Sequence, residues 1–297
     1  MKETKKPTSF KEATGKIEFN LKYDIVFHYT MQKSLKALTG LVCSLNGLRP
    51  EDVKTITVEN PIDLNTASKE TVMDIKLTLN NNEIHNIELQ TYNDKYWLKR
   101  SILYLCRAYD SIKEGDDYSK LKRTTHFCIT DQDLFEDYPE FYSSYYLTNS
   151  NKKYSNIYST DFSLKVLNLN HTDIATDKDI NNNLVYWANL FKANTWEELK
   201  TLIADNPVVE EVGNLIFELN TDNQTKELLE GKRRYREMLA SERAGGREEA
   251  AEEYLPIIKE KDELLAEKEK TISENNKIIA EKDARIAELE ALLKRNS

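Results

Sequence analysis

Long hydrophobic runs are absent from this chain. No apolar stretch approaches the ~20 residues that cross a bilayer, so no membrane-spanning helix is expected. The opening residues, Met1-Lys2-Glu3-Thr4-Lys5-Lys6, lack an apolar core, so no secretion signal is expected either. Glycine is scarce, with eight in 297 residues, and neither a phosphate-binding glycine loop nor a dinucleotide fingerprint occurs. The four histidines, His28, His85, His126 and His171, have no metal-ligand spacing, and no Ser-His-Asp order is present. Three scattered cysteines, at 43, 106 and 128, argue against a disulfide scaffold or a zinc site and for a reducing cytoplasm. Cys43 and Cys128 lie in apolar runs and read as small core residues.

What is present divides the chain into three parts. Residues 1–19 are polar and expected to be loose, unless Phe10 and Phe19 tie them down. Residues 20–230 carry the apolar periodicities of a folded domain. Between 24 and 47 apolar residues recur at three- and four-residue steps, which predicts one amphipathic helix ended by Gly47 and Pro50. Thr55-Ile56-Thr57-Val58 predicts a short strand. Two β-rich runs over 71–91 predict a hairpin, 94–114 a helix stopped by Gly115, and Thr124–Thr130 and Phe162–Leu169 two further strands. Helices are expected over 179–204 and 208–220. This order fits a mixed α/β sheet flanked by helices.

Residues 231–297 are a charged tail. Ile258, Leu265, Ile272, Ile279, Ile286 and Leu293 fall seven apart. The companion seam is poor, with Lys261, Lys268, Asn275 and Lys282 before Leu289, while Ile257, Leu264, Ile278 and Leu292 widen the stripe. That pattern predicts a long coiled-coil-like helix that self-associates into a homo-oligomer, or else one exposed helix supported by salt bridges. Pro256 is expected to start or interrupt it.

The sharpest feature is an acid pair on the hairpin. Asp74 opens Asp74-Ile75-Lys76-Leu77-Thr78-Leu79; an Asn-rich turn follows, then Ile84-His85-Asn86-Ile87-Glu88-Leu89-Gln90. Strand side chains alternate, so Glu88 and Gln90 share a face opposite Ile87 and Leu89. In-register pairing brings Asp74 near Glu88. Two carboxylates with an amide beside them suit a hard divalent cation through oxygen ligands.

This pattern resembles the PD-(D/E)XK nucleases, and within them the Rpn-type recombination-promoting nuclease/transposase family. The resemblance covers roughly residues 20–130. It rests on Tyr23-Asp24-Ile25-Val26-Phe27, Lys69-Glu70-Thr71-Val72-Met73-Asp74-Ile75, Asn86-Ile87-Glu88-Leu89-Gln90, Arg100 with Tyr104, and Gly115-Asp116-Asp117-Tyr118-Ser119-Lys120-Leu121. It implies a restriction-endonuclease-like fold and a metal-dependent DNA endonuclease, with Asp74 and Glu88 as ligands for Mg²⁺, or Mn²⁺ in its place, and a setting in recombination or mobile elements. In the wider superfamily a lysine usually holds the position of Gln90; the resemblance implies that glutamine is normal for this branch. Asp24 matches the family's Asp-x-x-Phe and reads as a third acid or as a helix cap. His28 stands where the family usually has lysine. Arg100 and Tyr104, four apart on one helical face, read as substrate-phosphate contacts or as braces for the hairpin.

Charge sits awkwardly with DNA. The net charge is −9, and residues 231–297 hold 15 basic and 16 acidic side chains, so the excess lies in the first 230 residues. A nuclease would need a local basic surface, for which Lys95, Lys99, Arg100, Arg107, Lys120, Lys122 and Arg123 are candidates; a solvated helix face is the plain alternative. The tyrosine-rich stretch 135–158 could stack bases or simply pack. The alternative function is a catalytically inactive nuclease fold acting as an oligomeric binding module.

Overall fold

The computed structural model describes residues 7–64, 74–80, 82–92, 94–135, 137–151, 156–206 and 209–295. The sequence motif Lys69-Glu70-Thr71-Val72-Met73 and the aromatic Tyr154 lie outside them. The chain divides into two units between Lys232 and Arg233.

The first unit is built on a six-stranded sheet, β1 (Ile56–Val58), β2 (Ile75–Leu79), β3 (Glu83–Gln90), β4 (Arg123–Thr130), β5 (Tyr142–Thr148) and β6 (Ile157–Asn168), in the order β1-β2-β3-β4-β6-β5. β3, β4 and β6 run parallel; the other neighbours are antiparallel. The parallel strands β3 and β4 are buried over nearly their whole length, as expected for strands covered on both faces. Between them the chain crosses over as α3 (Trp97–Tyr109), which packs on β3, β4 and β6.

The two sheet faces differ in chemistry. Ile75, Leu77, Leu79, Ile87, Leu89, Phe127, Ile129 and Leu167 enter the main core. That core also holds residues of α1 (Asp24–Lys33), α2 (Leu35–Asn46), α5 (Leu184–Lys192), α6 (Trp196–Asp205) and α7 (Glu210–Thr221); the short α4 (Asp177–Asn181) precedes α5. Alternation sends Asn86, Glu88, Gln90 and His126 to the other face. There, among the described residues, Trp97, Cys128 and Val166 form a small buried apolar cluster, with Leu134, Tyr145 and Leu164 packed against it. The site therefore sits on the polar face of the sheet, at the side that α3 covers.

Local chemistry corrects three sequence expectations and decides a fourth. The single helix over 24–47 is two. Ser34 ends α1 and its hydroxyl accepts the Ala37 N–H to cap α2, a signal that a purely apolar reading passes over. α2 closes at Gly47 with φ 66°, where the Leu48 N–H reaches the Cys43 carbonyl at 2.9 Å, a left-handed stop that glycine adopts without strain. α3 stops at Tyr109, before Gly115, and buries Trp97, Ser101, Leu105 and Ala108. Ile102, Leu103 and Cys106 of the same helix face solvent. The segment 179–204 is broken into α4, α5 and α6, with Thr195 capping the last through a reciprocal box with Glu198. Residues 7–19, expected to be loose unless Phe10 and Phe19 tied them down, are held by those two rings with Ala13 and Ile17, all buried in the main core.

The second unit lies within α8 (Asn223–Arg295). The helix runs through Pro256, which neither starts nor stops it. Proline there forfeits one backbone hydrogen bond, at a cost of about 3 kcal/mol, and the many helix-favouring Glu, Lys, Ala and Leu residues around it offset that loss. Ile258, Leu265, Ile272, Ile279 and Ile286 are each about half exposed on it. Leu292 and Leu293 lie outside the side chains described.

Candidate active site

Backbone register sets the acids. β2 and β3 pair Ile75 with Ile87, so the next position along each strand puts Asp74 opposite Glu88. Both point to the polar face. Asp24, at the first turn of α1, lies within electrostatic reach of Asp74. It is not the cap of that helix: Tyr23 holds the cap position and makes no side-chain capping bond. The Asp24 carboxylate accepts the neighbouring Ile25 N–H at 2.9 Å.

Burial then forces a network. Glu88 is 3% exposed and has both oxygens engaged: Arg100 Nη2 donates to Oε1 at 2.6 Å, and His126 Nε2 lies 3.2 Å from Oε2. Asn86 Nδ2 donates to His126 Nδ1 at 3.0 Å, which leaves the imidazole proton on Nε2, aimed at Glu88. The Asn86 amide also lies close enough to the Asp74 carboxyl to favour its ionised form. Glu88, His126 and Asn86 thus form one chain of hydrogen bonds, with Asp74 beside its Asn86 end. β3 and β4 align Asn86 directly beside His126, which makes this possible.

Arg100 closes the other side. Its guanidinium donates to Glu88, to Gln90 Oε1 and, at 2.5 Å, to Asp94, while the Tyr92 hydroxyl is 3.4 Å away. Gln90 Nε2 in turn donates to the Tyr92 carbonyl at 2.5 Å. Tyr104 sits under the same guanidinium, 5.9 Å from its ring centre, and edge-on to His126. Arg100 and Tyr104 are therefore brought together, and Arg100 braces the hairpin through Glu88 and Gln90. The structure adds Asn86, Tyr92, Asp94 and His126 to the residues around the acid pair. Alternation alone marks Asn86 as sharing the Glu88 face; His126 needs the β3–β4 register, which the sequence does not display.

Charge follows geometry. Burial, then the facing Glu88 carboxylate, push the Asp74 carboxyl up to about 7, against the pull of Arg100 and Asn86. Burial opposes the Arg100 charge, yet Glu88 and Tyr92 outweigh it and hold the guanidinium protonated more firmly than usual. Burial, then Asp74, raise the Tyr104 phenol. The Cys128 thiol, fully buried beside Glu88, is also raised and is inert.

Among the described residues no group of three or more His, Cys, Asp or Glu converges as a metal cage. Two facing carboxylates with the oxygen of an amide nearby still fit a hard divalent ion, which commonly takes one or two protein carboxylates and keeps its waters. The like-charge strain on Asp74 is what such an ion would relieve.

A mixed sheet flanked by helices, with acids facing each other at the open end of a central hairpin, defines a restriction-endonuclease-like α/β fold. The family profile described as PD-(D/E)XK nuclease family transposase matches residues 22–242, well over half of the chain, and the protein belongs to that family. Its role is accordingly nuclease-like or transposase-like, and PD-(D/E)XK nucleases generally use divalent metal ions. Neither a curated protein nor a solved structure matches the chain. Among the described residues no helix is long and apolar enough to cross a membrane.

Proposed function

We propose that the protein is a metal-dependent DNA endonuclease that cleaves phosphodiester bonds, using Mg²⁺ with Mn²⁺ as a substitute, in a recombination or mobile-element setting in the cytoplasm. The observation that carries this reading is the placement of Asp74 opposite Glu88, with Gln90 on the same face, in a chain of this family. Asp74 and Glu88 would hold the ion. When bound, it supplies charge to the phosphate and acidity to its water. Asn86 and His126 keep the Glu88 carboxylate oriented, and Arg100 fixes the Gln90 amide so that its oxygen is directed and not free to rotate. Gln90 orients the attacking water; it has no charge to offer and no basic lone pair. Asp24 adds negative charge near Asp74 and is proposed as the third acid. Arg100 and Tyr104 are proposed as the nearest phosphate contacts.

The test is nicking of supercoiled plasmid in Mg²⁺ by the wild-type chain and by Glu88→Ala. Loss of at least about a hundredfold in rate is expected; equal nicking by both would remove the nuclease reading. A second reading, a nuclease fold kept for binding, draws on the engagement of both Glu88 oxygens by Arg100 and His126. No thermal stabilisation by Mg²⁺ or Mn²⁺, together with no nicking, would favour it, since a ligand of the folded state stabilises that state.

A further inference from the structure

The residues that flank the site on its solvent side have a chemistry that the metal pair does not explain. Tyr96 precedes α3 and is 60% exposed. Trp97 beside it performs the packing at that turn and is buried, so the Tyr96 ring is not needed by the core. Lys95 and Lys99 place their ammonium groups 5.8 and 5.9 Å from the Tyr96 ring centre. The Arg100 N–H bonds the Tyr96 carbonyl at 3.0 Å, so this ring stands one helical turn from the guanidinium that grips Glu88 and Gln90. Tyr92 is 44% exposed, and its ring centre lies 5.9 Å from the same guanidinium. Lys95, Tyr96 and Lys99 are exposed, Tyr92 is partly so, and Arg100 reaches the buried carboxylate of Glu88.

Of the basic residues near the site, several are already spent. Lys120 is paired with Asp116, and Arg123 with Glu83 and Asp161. Lys95 and Lys99 remain at the surface around an exposed ring, on a protein whose net charge is −9. An exposed aromatic face bracketed by cations matches a nucleotide: the ring stacks a base and the ammonium groups neutralise the flanking phosphates. A paired base inside a duplex has both faces covered by its neighbours, whereas an unpaired base offers one.

We infer that Tyr96, with Lys95 and Lys99, is a stacking platform that admits an unpaired nucleotide strand to the Asp74–Glu88 site. This rests on the nuclease reading of the site and names its substrate class as single-stranded nucleic acid. The tyrosine-rich stretch 135–158 is not needed for it: Phe141 is buried and the Tyr142 hydroxyl bonds the Leu45 carbonyl, so part of that stretch is packing.

The experiment is fluorescence anisotropy of a labelled oligothymidine and of a duplex of equal length, in EDTA, with the full chain. The wild type is expected to bind the single strand more tightly. Tyr96→Ala should weaken single-strand binding about tenfold or more, and Tyr96→Phe, which keeps the ring, less than about twofold. Replacing both Lys95 and Lys99 with Gln should flatten the slope of log affinity against log salt by about 1.4. Both substitutions are at exposed positions, and an unchanged thermal melt shows that the fold is intact. Unaltered binding by Tyr96→Ala overturns the inference. So does an equal loss on duplex, a loss by Tyr96→Phe as large as that by Tyr96→Ala, or no binding of either nucleic acid by the wild type. Failure of the nuclease reading looks different: Glu88→Ala would nick as well as wild type while the Tyr96 effect on binding persisted.

Discussion

Asp74 illustrates how one residue can be bound to function at a cost to stability. Its ordinary value is 3.8 and the fold raises it to about 7. Between those values the folded chain holds a proton that the unfolded chain has released. Stability is therefore expected to fall as pH rises from about 4 to about 7, and the cost is fully present above 7. Asp74→Asn should raise stability by roughly 1–3 kcal/mol at pH 8 in EDTA and by almost nothing at pH 4. Urea denaturation at the two pH values checks this; a gain that is equal at both would refute the assignment. Divalent cation should narrow the difference at pH 8, because it stabilises the ionised pair. Arg100 behaves oppositely. It is the counter-charge for both Glu88 and Asp94, and removing one partner of a buried pair strands the other. Arg100→Ala is expected to cost about 2–4 kcal/mol in denaturation experiments. Arg100→Lys should recover little of it, since a single ammonium cannot reproduce a fork that serves Glu88, Gln90 and Asp94 together.

Elements position these residues through a few backbone details. α2 holds Leu38, Leu41, Val42 and Leu45 in the main core, and its two ends are fixed by Ser34 and Gly47. A Cβ added at Gly47 would meet the Asn182 amide at 3.2 Å, on a backbone with φ 66°. Gly47→Ala is expected to lower stability by about 1 kcal/mol or somewhat more, read as a shift in thermal midpoint without change in the nicking rate per folded molecule. The hairpin is the element that matters for chemistry. Its turn passes through Asn80 at φ 50°, a left-handed conformation that asparagine tolerates, and the Asn80 side chain binds back to the Asp52 carbonyl and to the Lys54 and Thr55 N–H groups. That anchoring fixes the register, and a slip of one residue would turn Asp74 away from Glu88.

At the scale of the molecule the second unit carries a stripe without a core to cover it. Five heptad-spaced Ile and Leu residues from Ile258 to Ile286 are each about half exposed, and apolar surface in that arrangement is buried most simply against a second copy of the same helix. We expect the full chain to be a homo-oligomer. Truncation after Gly245, followed by light scattering, should reduce the mass to that of one chain; an unchanged oligomer number would rule out the tail as its cause.

The linear order of residues was enough for the hairpin, the strands around 56, 127 and 165, the heptad stripe and the facing of Asp74 and Glu88. Each of these depends on local periodicity, on turn chemistry or on the pairing of neighbours in sequence. It misjudged α1–α2, the end of α3 and Pro256, where a single capping hydroxyl, a burial pattern or a run of strong helix formers outweighed the apolar pattern. The chain order could not display what lies across parallel strands. Only the tertiary structure set His126 of β4 beside Asn86 of β3, brought α3 over the sheet so that Arg100 reached Glu88 and Gln90, and left Tyr96 in solvent. The reason is that a parallel crossover joins strands some forty residues apart through a helix, and its register is chosen by packing rather than by any local signal.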